Sequence, residues 1–274
     1  MDTNMKFSVL MSSYIKDNPD ELRIALKSIW DDQTVKPAEI VIVKDGPLTP
    51  ELDAVIAEFA QRAPVKTVPL PQNVGLGRAL AVGLRHCSHD YVARMDGDDI
   101  SVPDRFEKQC DYISAHSEVS ICGGMIVEFK NDLNDIIGKR ELPLHDQEIK
   151  RFIRARNPFN HVAVFFNRER VLRAGNYEHI LGYEDYYLWS RVLAQGGIGA
   201  NLPDVLVYVR AGENMLRRRR GWKLAWSEVK LAYKMWKIGI LPFWMMCRNL
   251  LLKPTVRFMP VGVLKIIYSH LREK

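Results

Sequence analysis

Apolar and polar residues alternate with two different spacings along about the first 130 residues of the chain. Short runs of β-branched and aromatic residues predict strands, and stretches with apolar residues three or four positions apart predict amphipathic helices. The predicted strands cover residues 7–11, 39–43, 65–70 and 91–95, and the predicted helices cover residues 19–30, 51–59 and 75–86. This alternation indicates βαβ units, so we predict an α/β fold with a mainly parallel sheet.

The middle of the chain is less regular than its beginning. Strands are predicted over residues 119–129, 161–167 and 202–210, and helices over residues 147–155 and 186–193. No internal repeat or low-complexity linker divides the chain. We therefore predict one large domain over residues 1–221 and a helical tail over residues 222–274.

The tail combines aromatic and basic residues on the helix predicted to open it. One helical stripe holds Trp222, Trp226, Val229, Tyr233 and Trp236, and its flank holds Lys223, Lys230, Lys234 and Lys237. An aromatic face beside lysines is typical of a helix that lies in a membrane interface. The alternative is that the stripe packs on the domain, and each arrangement can apply to a different segment.

Charge separates the tail from the rest of the chain. From Asn214 onward there are 14 lysines and arginines but only two acidic residues, whereas the preceding part has a net charge of −6. A basic tail favours an anionic partner, either a membrane surface or nucleic acid. The large apolar residues, arranged as a helical stripe, favour the membrane, and we expect no nucleic-acid partner.

Composition excludes several other classes of protein. The 274 residues are 47% hydrophobic and 26% charged, which is typical of a globular protein and not of a disordered or fibrous one. No apolar run approaches the ~18 residues of a membrane-spanning helix, and the first residues do not resemble a secretory signal. The four scattered cysteines indicate reduced thiols rather than disulfides or a zinc site. These features predict a cytoplasmic protein.

The strongest chemical signal follows the fourth predicted strand, in the segment Met-Asp-Gly-Asp-Asp-Ile at residues 95–100. Asp96 and Asp98 crowd at a strand end, where carboxylates repel one another unless a cation neutralises them. Hard oxygen ligands of this kind suit Mn²⁺ or Mg²⁺. The alternative for this segment alone is a solvated acidic turn.

Three further segments lie where ligands bind in such sheets, after strands or at helix starts. Asp45 ends the second strand before Gly46, which suits a contact with a base or ribose, or an ordinary Asp-Gly turn. Arg78 opens the third helix and can face a phosphate or a base, but the segment also suits a capped helix start. Glu184 and Asp185 start a later helix, where the helix dipole favours acids and a general base is the functional alternative.

Two more features have both a functional and a structural interpretation. Four arginines at residues 217–220 can pair with diphosphate oxygens or with anionic lipid headgroups, and they are also an ordinary solvated charge run. His161 precedes an apolar strand, where a histidine more often positions structure or substrate than catalyses. Gly123, Gly124 and Asn160 are candidate pocket residues in the irregular middle of the chain.

Taken in this order, the segments resemble glycosyltransferase family 2, whose members have the GT-A fold. The matching segments lie at residues 7–14, 40–46, 73–83, 95–100 and 182–185, and residues 218–221 resemble the basic segment that closes the domain in bacterial polysaccharide enzymes. The resemblance covers about residues 5–222, and the DGDD element followed by the Glu-Asp pair is a specific combination. It implies a GT-A domain with a C-terminal basic amphipathic helical extension.

The resemblance also implies roles for single residues. The nucleotide pocket would be lined by Ser12, Tyr14, Asp45, Arg78 and Asp96. Asp45 would bind uracil, Asp96 would hold the ribose near the metal, and Asp98 would ligate Mn²⁺ or Mg²⁺ on the donor diphosphate. Asp185 would deprotonate the acceptor hydroxyl, supported by Glu184. Contacts with the acceptor or the diphosphate would come from His161, Arg218, Arg219 and Arg220.

The implied activity is the inverting, metal-dependent transfer of one sugar from a nucleotide donor, UDP-hexose, to a saccharide on polyprenyl diphosphate. Such transfers build capsule or O-antigen repeat units, so the tail would dock at the inner face of the bacterial plasma membrane. Lys44 and Leu80 depart from residues common in the family. The QxxRW element of processive synthases is absent, which favours addition of a single sugar. The sequence allows a homodimer.

Two other functions remain as alternatives. A sugar-phosphate nucleotidyltransferase also uses an α/β fold and a divalent cation, but it would have a glycine-rich segment after the first strand, where this chain has Met-Ser-Ser-Tyr at residues 11–14. A non-catalytic, membrane-associated protein that binds a nucleotide sugar does not account for the acids at positions 96, 98 and 185.

Overall fold

The computed structural model describes residues 5–211 and 221–258. Its strands are β1 (Phe7–Ser13), β2 (Glu39–Lys44), β3 (Val65–Pro69), β4 (Tyr91–Arg94), β5 (Ile100–Ser101), β6 (Val119–Phe129), β7 (Ile136–Arg140), β8 (Phe165–Asn167) and β9 (Ile198–Arg210). Its helices are α1 (Pro19–Ser28), α2 (Pro50–Ala60), α3 (Leu76–His86), α4 (Arg105–Ala115), α5 (Asp146–Phe152), α6 (Arg168–Arg173), α7 (Glu184–Ala194), α8 (Trp222–Lys237) and α9 (Phe243–Val256).

One sheet runs through the described chain, and its first half is parallel as predicted. The strand order is β3-β2-β1-β4-β8-β6-β9-β5, with β7 paired to β6. β1 is parallel to both β2 and β4, and β2 is parallel to β3. Apolar side chains of α1, α2 and α4 form the core on one face, and those of α3 and α7 form it on the other. The carboxyl ends of β1, β2 and β4 therefore meet at one edge, where ligands bind in such sheets.

The second half of the sheet departs from the sequence-based expectations. Residues 161–167 are not one strand, because His161–Ala163 forms a 3-10 helix before the short β8. The sequence patterns do not predict α4, α6, β5 or β7, whereas α8 and α9 both lie in the predicted helical tail. In α4 the buried face includes Arg105 and Gln109, whose side chains bond to backbone carbonyls. A helix with a partly polar buried face lacks the apolar spacing on which the prediction depends.

The candidate pocket residues in the middle of the chain are structural. Gly123 and Gly124 are buried in β6, where an added Cβ atom would lie 2.2 Å from Asn201 Oδ1 and 2.4 Å from Leu206 Cδ1, respectively. Asn160 is also buried, and its Nδ2 donates to the Gly124 carbonyl oxygen at 2.9 Å. The expectation that these residues line a pocket is therefore wrong, since they fit β9 closely against β6.

The tail both packs on the domain and presents an aromatic surface. Leu231 and Met235 of α8 are buried in the same apolar cluster as α3 and α7. Trp222 and Trp226 lie on another face and are 69% and 50% exposed. Among the described residues, no helix is both long and apolar enough to span a bilayer. The arginines at 217–220 lie outside the described residues, and the domain boundary at residue 221 stays a prediction.

Candidate active site

The acidic segment after β4 folds into a compact cluster. The carboxylate oxygens of Asp96, Asp98 and Asp99 lie within 4.8 Å of one another. Asp99 is buried, and its Oδ1 accepts a hydrogen bond from the Arg210 backbone N–H at 2.8 Å. Arg210, the last residue of β9, therefore fixes the position of Asp99, the third acid of the cluster.

Burial and the repulsion between neighbouring carboxylates both raise pKa values within the cluster. Although Asp98 reaches solvent, the surrounding protein and then the negative charge of Asp96 raise its pKa to about 6. Burial, followed by the charges of Asp96 and Asp98, raises the pKa of Asp99 well above its ordinary value. Closely spaced hard oxygen atoms that repel one another form a donor set that a divalent cation stabilises. The residues therefore fit Mn²⁺ or Mg²⁺.

A buried arginine supports the cluster from below. Arg94 is 1% exposed, and its guanidinium pairs with the Asp96 carboxylate. Its Nε and Nη1 atoms make no hydrogen bond among the described residues. Its backbone carbonyl accepts a hydrogen bond from Arg105 Nη2 at 2.8 Å. Two cations are thus buried beside the acids, and Arg94 holds Asp96 in a fixed position.

The loop after β1 reaches the same cluster. A Cβ atom added at Gly97 would lie 3.8 Å from Asp17 Oδ2 and 4.0 Å from the Ser12 carbonyl oxygen. Asp17 Oδ2 accepts the Tyr14 backbone N–H at 3.0 Å, and burial is the largest cause of the raised pKa of Asp17. The end of β1 and the loop that carries Tyr14 therefore reach the acidic segment, and the contact of Ser12 and Tyr14 with a nucleotide stays a prediction.

Asp45 and Arg78 have different surroundings from each other. Asp45 is buried, and its carboxylate accepts hydrogen bonds from Asn73 Nδ2 at 3.0 Å, the Val74 N–H at 2.7 Å and the Gly75 N–H at 3.1 Å. The side chain thus ties the loop before α3 to the end of β2. Arg78 is exposed in the first turn of α3. The uracil contact of Asp45 and the nucleotide contact of Arg78 stay predictions.

The second pair of acids begins α7, where Glu184 is buried and Asp185 is half-buried. Asp185 accepts a hydrogen bond from Asn157 Nδ2 at 2.6 Å. Burial raises the pKa of Asp185, and the Asn157 hydrogen bond and the charges of Arg140 and Arg94 act against that rise. Burial also raises the pKa of Glu184 to about 7. Both acids are therefore better bases than exposed carboxylates.

Glu184 fits against α3 because the facing residue there has no side chain. A Cβ atom added at Gly77 would lie 2.5 Å from Glu184 Cγ and 3.1 Å from its Cβ. Gly77 therefore permits the start of α7 to approach the first turn of α3.

The two acidic groups interact electrostatically with the same two buried residues, Arg94 and Tyr177. The charge of Arg94 acts on both Asp96 and Asp185, and the charges of both acids act on Tyr177. The Tyr177 hydroxyl lies 3.0 Å from His161 Nε2. Burial, followed by the charge of Arg94, lowers the pKa of His161 well below its ordinary value, so the ring is neutral. The prediction that His161 contacts the acceptor or the diphosphate stays untested.

Sequence reasoning missed several members of this site. They are Asp17, Arg94, Arg140, Asn157 and Tyr177. Arg94 had a local signal, because it is a charged residue inside an apolar strand immediately before the acids. The others lie far from the recognisable segments along the chain, and only the fold shows that they are neighbours.

Comparisons with known proteins agree with this architecture. The family model described as Glycosyl transferase family 2 matches residues 8–181, so the match ends before Glu184 and Asp185. The amylovoran biosynthesis glycosyltransferase AmsE of Erwinia amylovora is 43% identical over 97% of this chain and 99% of its own. The UDP-Gal:alpha-D-GlcNAc-diphosphoundecaprenol beta-1,3-galactosyltransferase of Escherichia coli is 38% identical over 98% of this chain and 97% of its own.

The fold has a counterpart among solved structures. The mannosyltransferase PcManGT of Pyrobaculum calidifontis, solved with GDP-Man and Mn²⁺, superposes with a TM-score of 0.65 at 16% identity. The superposition covers 100% of this chain and 82% of that one. It confirms the predicted GT-A fold. With the matched family model and two relatives similar over nearly their whole lengths, this chain belongs to glycosyl transferase family 2 and is a glycosyltransferase.

Proposed function

We propose that this enzyme transfers one hexose from UDP-hexose to a hydroxyl of a saccharide carried on polyprenyl diphosphate, with inversion at the anomeric carbon. The names of two relatives support the substrate class, since one acts in amylovoran biosynthesis and the other transfers galactose to diphosphoundecaprenol-linked GlcNAc. One structural observation carries the proposal. Arg94 forms an ion pair with Asp96, and its charge also acts on Asp185, which supports placing a donor-binding cluster and a base in the same site.

The cluster after β4 is the donor end of this proposed site. Asp96 and Asp98 would hold Mn²⁺ or Mg²⁺, which neutralises charge on the leaving diphosphate when bound. Arg94 keeps the Asp96 carboxylate aimed toward the cluster through their ion pair. Ser12 and Tyr14 lie next to these acids and would contact the nucleotide.

Asp185 is the proposed base at the acceptor end. An acceptor hydroxyl is a weak nucleophile at neutral pH, so a carboxylate within hydrogen-bond reach must remove its proton during attack. Asn157 orients the Asp185 carboxylate by donating to its Oδ2 at 2.6 Å, and the acceptor hydroxyl would approach this same carboxylate. Attack from the face opposite the leaving diphosphate inverts the anomeric centre, and an α-linked donor then gives a β-linked product.

The aromatic surface of the tail is the proposed membrane contact. Trp222, Trp226 and Tyr233 of α8 and Phe243 and Trp244 of α9 are all exposed. Aromatic side chains beside lysines insert at the headgroup level of anionic bilayers. Docking there would raise the effective concentration of a lipid-linked acceptor at the site.

Vesicle flotation tests the membrane contact. The wild-type protein should float with vesicles that contain phosphatidylglycerol and less with neutral phosphatidylcholine vesicles. Replacing the exposed pair, Trp222→Ser with Trp226→Ser, should reduce flotation. The control variant, Trp236→Ser, replaces a half-buried tryptophan and should float like the wild type. A protein that stays at the bottom of the gradient with both vesicle types would disprove the contact.

A transfer assay tests the proposed reaction itself. Purified enzyme with Mn²⁺, a series of UDP-hexoses and GlcNAc-diphospholipid should release UDP and add one hexose mass to the lipid. The anomeric coupling constant of the product should report a β-linkage. Formation of a nucleotide sugar from a sugar phosphate and UTP would support a nucleotidyltransferase instead. Tight UDP-hexose binding without transfer to any lipid-linked saccharide would support a non-catalytic binding protein.

A further inference from the structure

Mutual hydrogen bonds among three side chains join the tail to Tyr183, the residue that precedes the two acids of α7. The Tyr183 hydroxyl donates to Glu228 Oε1 at 2.6 Å and accepts from Arg257 Nη2 at 2.6 Å. Arg257 also donates to Glu228 Oε1, from Nη2 at 2.7 Å and from Nε at 3.1 Å. Glu228 lies on α8 and Arg257 follows α9, so both tail helices meet at Tyr183.

The charged side chains of this network are largely removed from water, and the cost of burying them bears on what the network does. Glu228 is 6% exposed, and the Arg257 side chain is 11% exposed. Removing two charges from water costs about as much as their attraction returns, so a buried ion pair contributes little net stability. A pair of this kind fixes geometry more than it stabilises a fold, and the geometry fixed here is that of Tyr183.

The tail also reaches the partner of Asp185 on its other side. Lys253 of α9 donates to the Ala155 carbonyl oxygen at 3.0 Å. Ala155 lies two residues before Asn157, whose side chain holds the Asp185 carboxylate. Tail residues therefore contact both chain segments that determine where Asp185 lies, the turn before α7 and the segment that carries Asn157.

We infer that the two tail helices position the catalytic base, with Tyr183, Glu228 and Arg257 as positioning residues. This inference rests on the proposed function, in which Asp185 is the base. Gly182 has a φ angle of 77°, so the turn before α7 passes through a residue with wide conformational freedom. The Tyr183 hydroxyl limits that freedom. A misplacement of about 1 Å at a reacting group lowers the rate roughly 100-fold, so even a small displacement of the turn affects turnover.

The test removes only the hydroxyl from the network. Tyr183→Phe should lower kcat about 10-fold and leave the KM for UDP-hexose within about twofold, because the donor end is untouched. Glu178→Gln is the matched control, since it weakens the ion pairs of Glu178 with Lys234 of α8 and with Arg191 near the end of α7 without touching Tyr183. The control should keep kcat within about twofold. Arg257→Lys should recover part of the activity that Arg257→Met loses, because lysine can still donate to Glu228.

A second measurement follows the turn without depending on catalysis. Amide hydrogen exchange in the peptide that covers residues 180–187 should accelerate in Tyr183→Phe and not in Glu178→Gln. Unchanged kcat and unchanged exchange in Tyr183→Phe would overturn the inference, as would an equal loss of kcat in the control. If the wild-type enzyme transfers no sugar, the proposed function fails, and the exchange comparison still decides whether the tail holds this turn.

Discussion

Two acidic groups of this enzyme look alike in the sequence and differ in the structure. The group after β4 consists of neighbouring carboxylates that repel one another at an open edge of the sheet, where Asp98 reaches solvent. In the pair that starts α7, Glu184 is buried against Gly77, and the half-buried Asp185 is held by Asn157. The same side-chain chemistry therefore suits a cation in one place and proton removal in the other.

Burial is the largest cause of the raised pKa values in both groups, but the next cause differs. At Asp98 and Asp99 it is the negative charge of Asp96, a repulsion that a cation would remove. Burial dominates at Glu184 and Asp185, and the nearby charge of Arg94 keeps Asp185 from rising further. Variants that disturb one group and spare the other test this division of roles.

The largest effect is expected at the base. Asp185→Asn keeps the shape and the neighbours of the side chain but removes its basicity, so kcat should fall about 1000-fold. UDP affinity should stay within about twofold, because the donor end is unchanged. Steady-state kinetics and calorimetry measure the two quantities. Asp111→Asn, an exposed aspartate on α4, is the control, and a kcat near wild type in Asp185→Asn would assign proton removal to another group.

The next largest effect is expected at the cation site. Asp98→Ala removes one hard oxygen ligand, so Mn²⁺-dependent UDP affinity should fall about 100-fold, equivalent to ~2.7 kcal/mol. Titration calorimetry with UDP, with and without Mn²⁺, measures the difference. Asp104→Ala serves as a control, because Asp104 pairs with Lys108 and lies outside the cluster. Equal UDP affinity with and without the cation in the wild type would contradict the assignment.

The comparison also explains which features the sequence could predict. The acids after β4 lie within four successive residues at a strand end, so both their proximity and their chemistry follow from local sequence. The acids of α7 were identified as a candidate base, but their burial depends on residues distant in sequence, such as Gly77 and Asn157. Arg94 was missed because its burial and its ion pair with Asp96 appear only in the fold, and α4 was missed because its buried face contains Arg105. Local patterns cannot specify polar groups whose partners are brought together only by the sheet topology.

Burial of Glu184 predicts a pH-dependent effect on stability. Its pKa is about 7 in the folded enzyme and near its ordinary value when unfolded. Between pH 4.5 and 7 the unfolded chain releases this proton first, so folded-state stability falls as pH rises and the loss is complete above pH 7. Glu184→Gln should therefore be more stable than the wild type by about 2 kcal/mol at pH 8. Its advantage should disappear below about pH 4.5, and an advantage independent of pH in thermal unfolding would contradict the buried ionisation.

The smallest effect is expected where α3 meets the acids of α7. Gly77→Ala gains roughly 1 kcal/mol of helix propensity, but its Cβ would lie 2.5 Å from Glu184 Cγ, and overpacking costs about 1–3 kcal/mol. The expected net destabilisation is about 1 kcal/mol, with a lower kcat because Glu184 and the adjacent Asp185 must shift. In a Glu184→Ala background the same replacement should cost less, because the obstructing Cγ is absent. Urea unfolding of the wild type, the two single variants and the double variant measures the coupling energy between positions 77 and 184. Additive effects would mean that Gly77 does not determine the position of the α7 acids, and that their burial depends on the tail and on Asn157 alone.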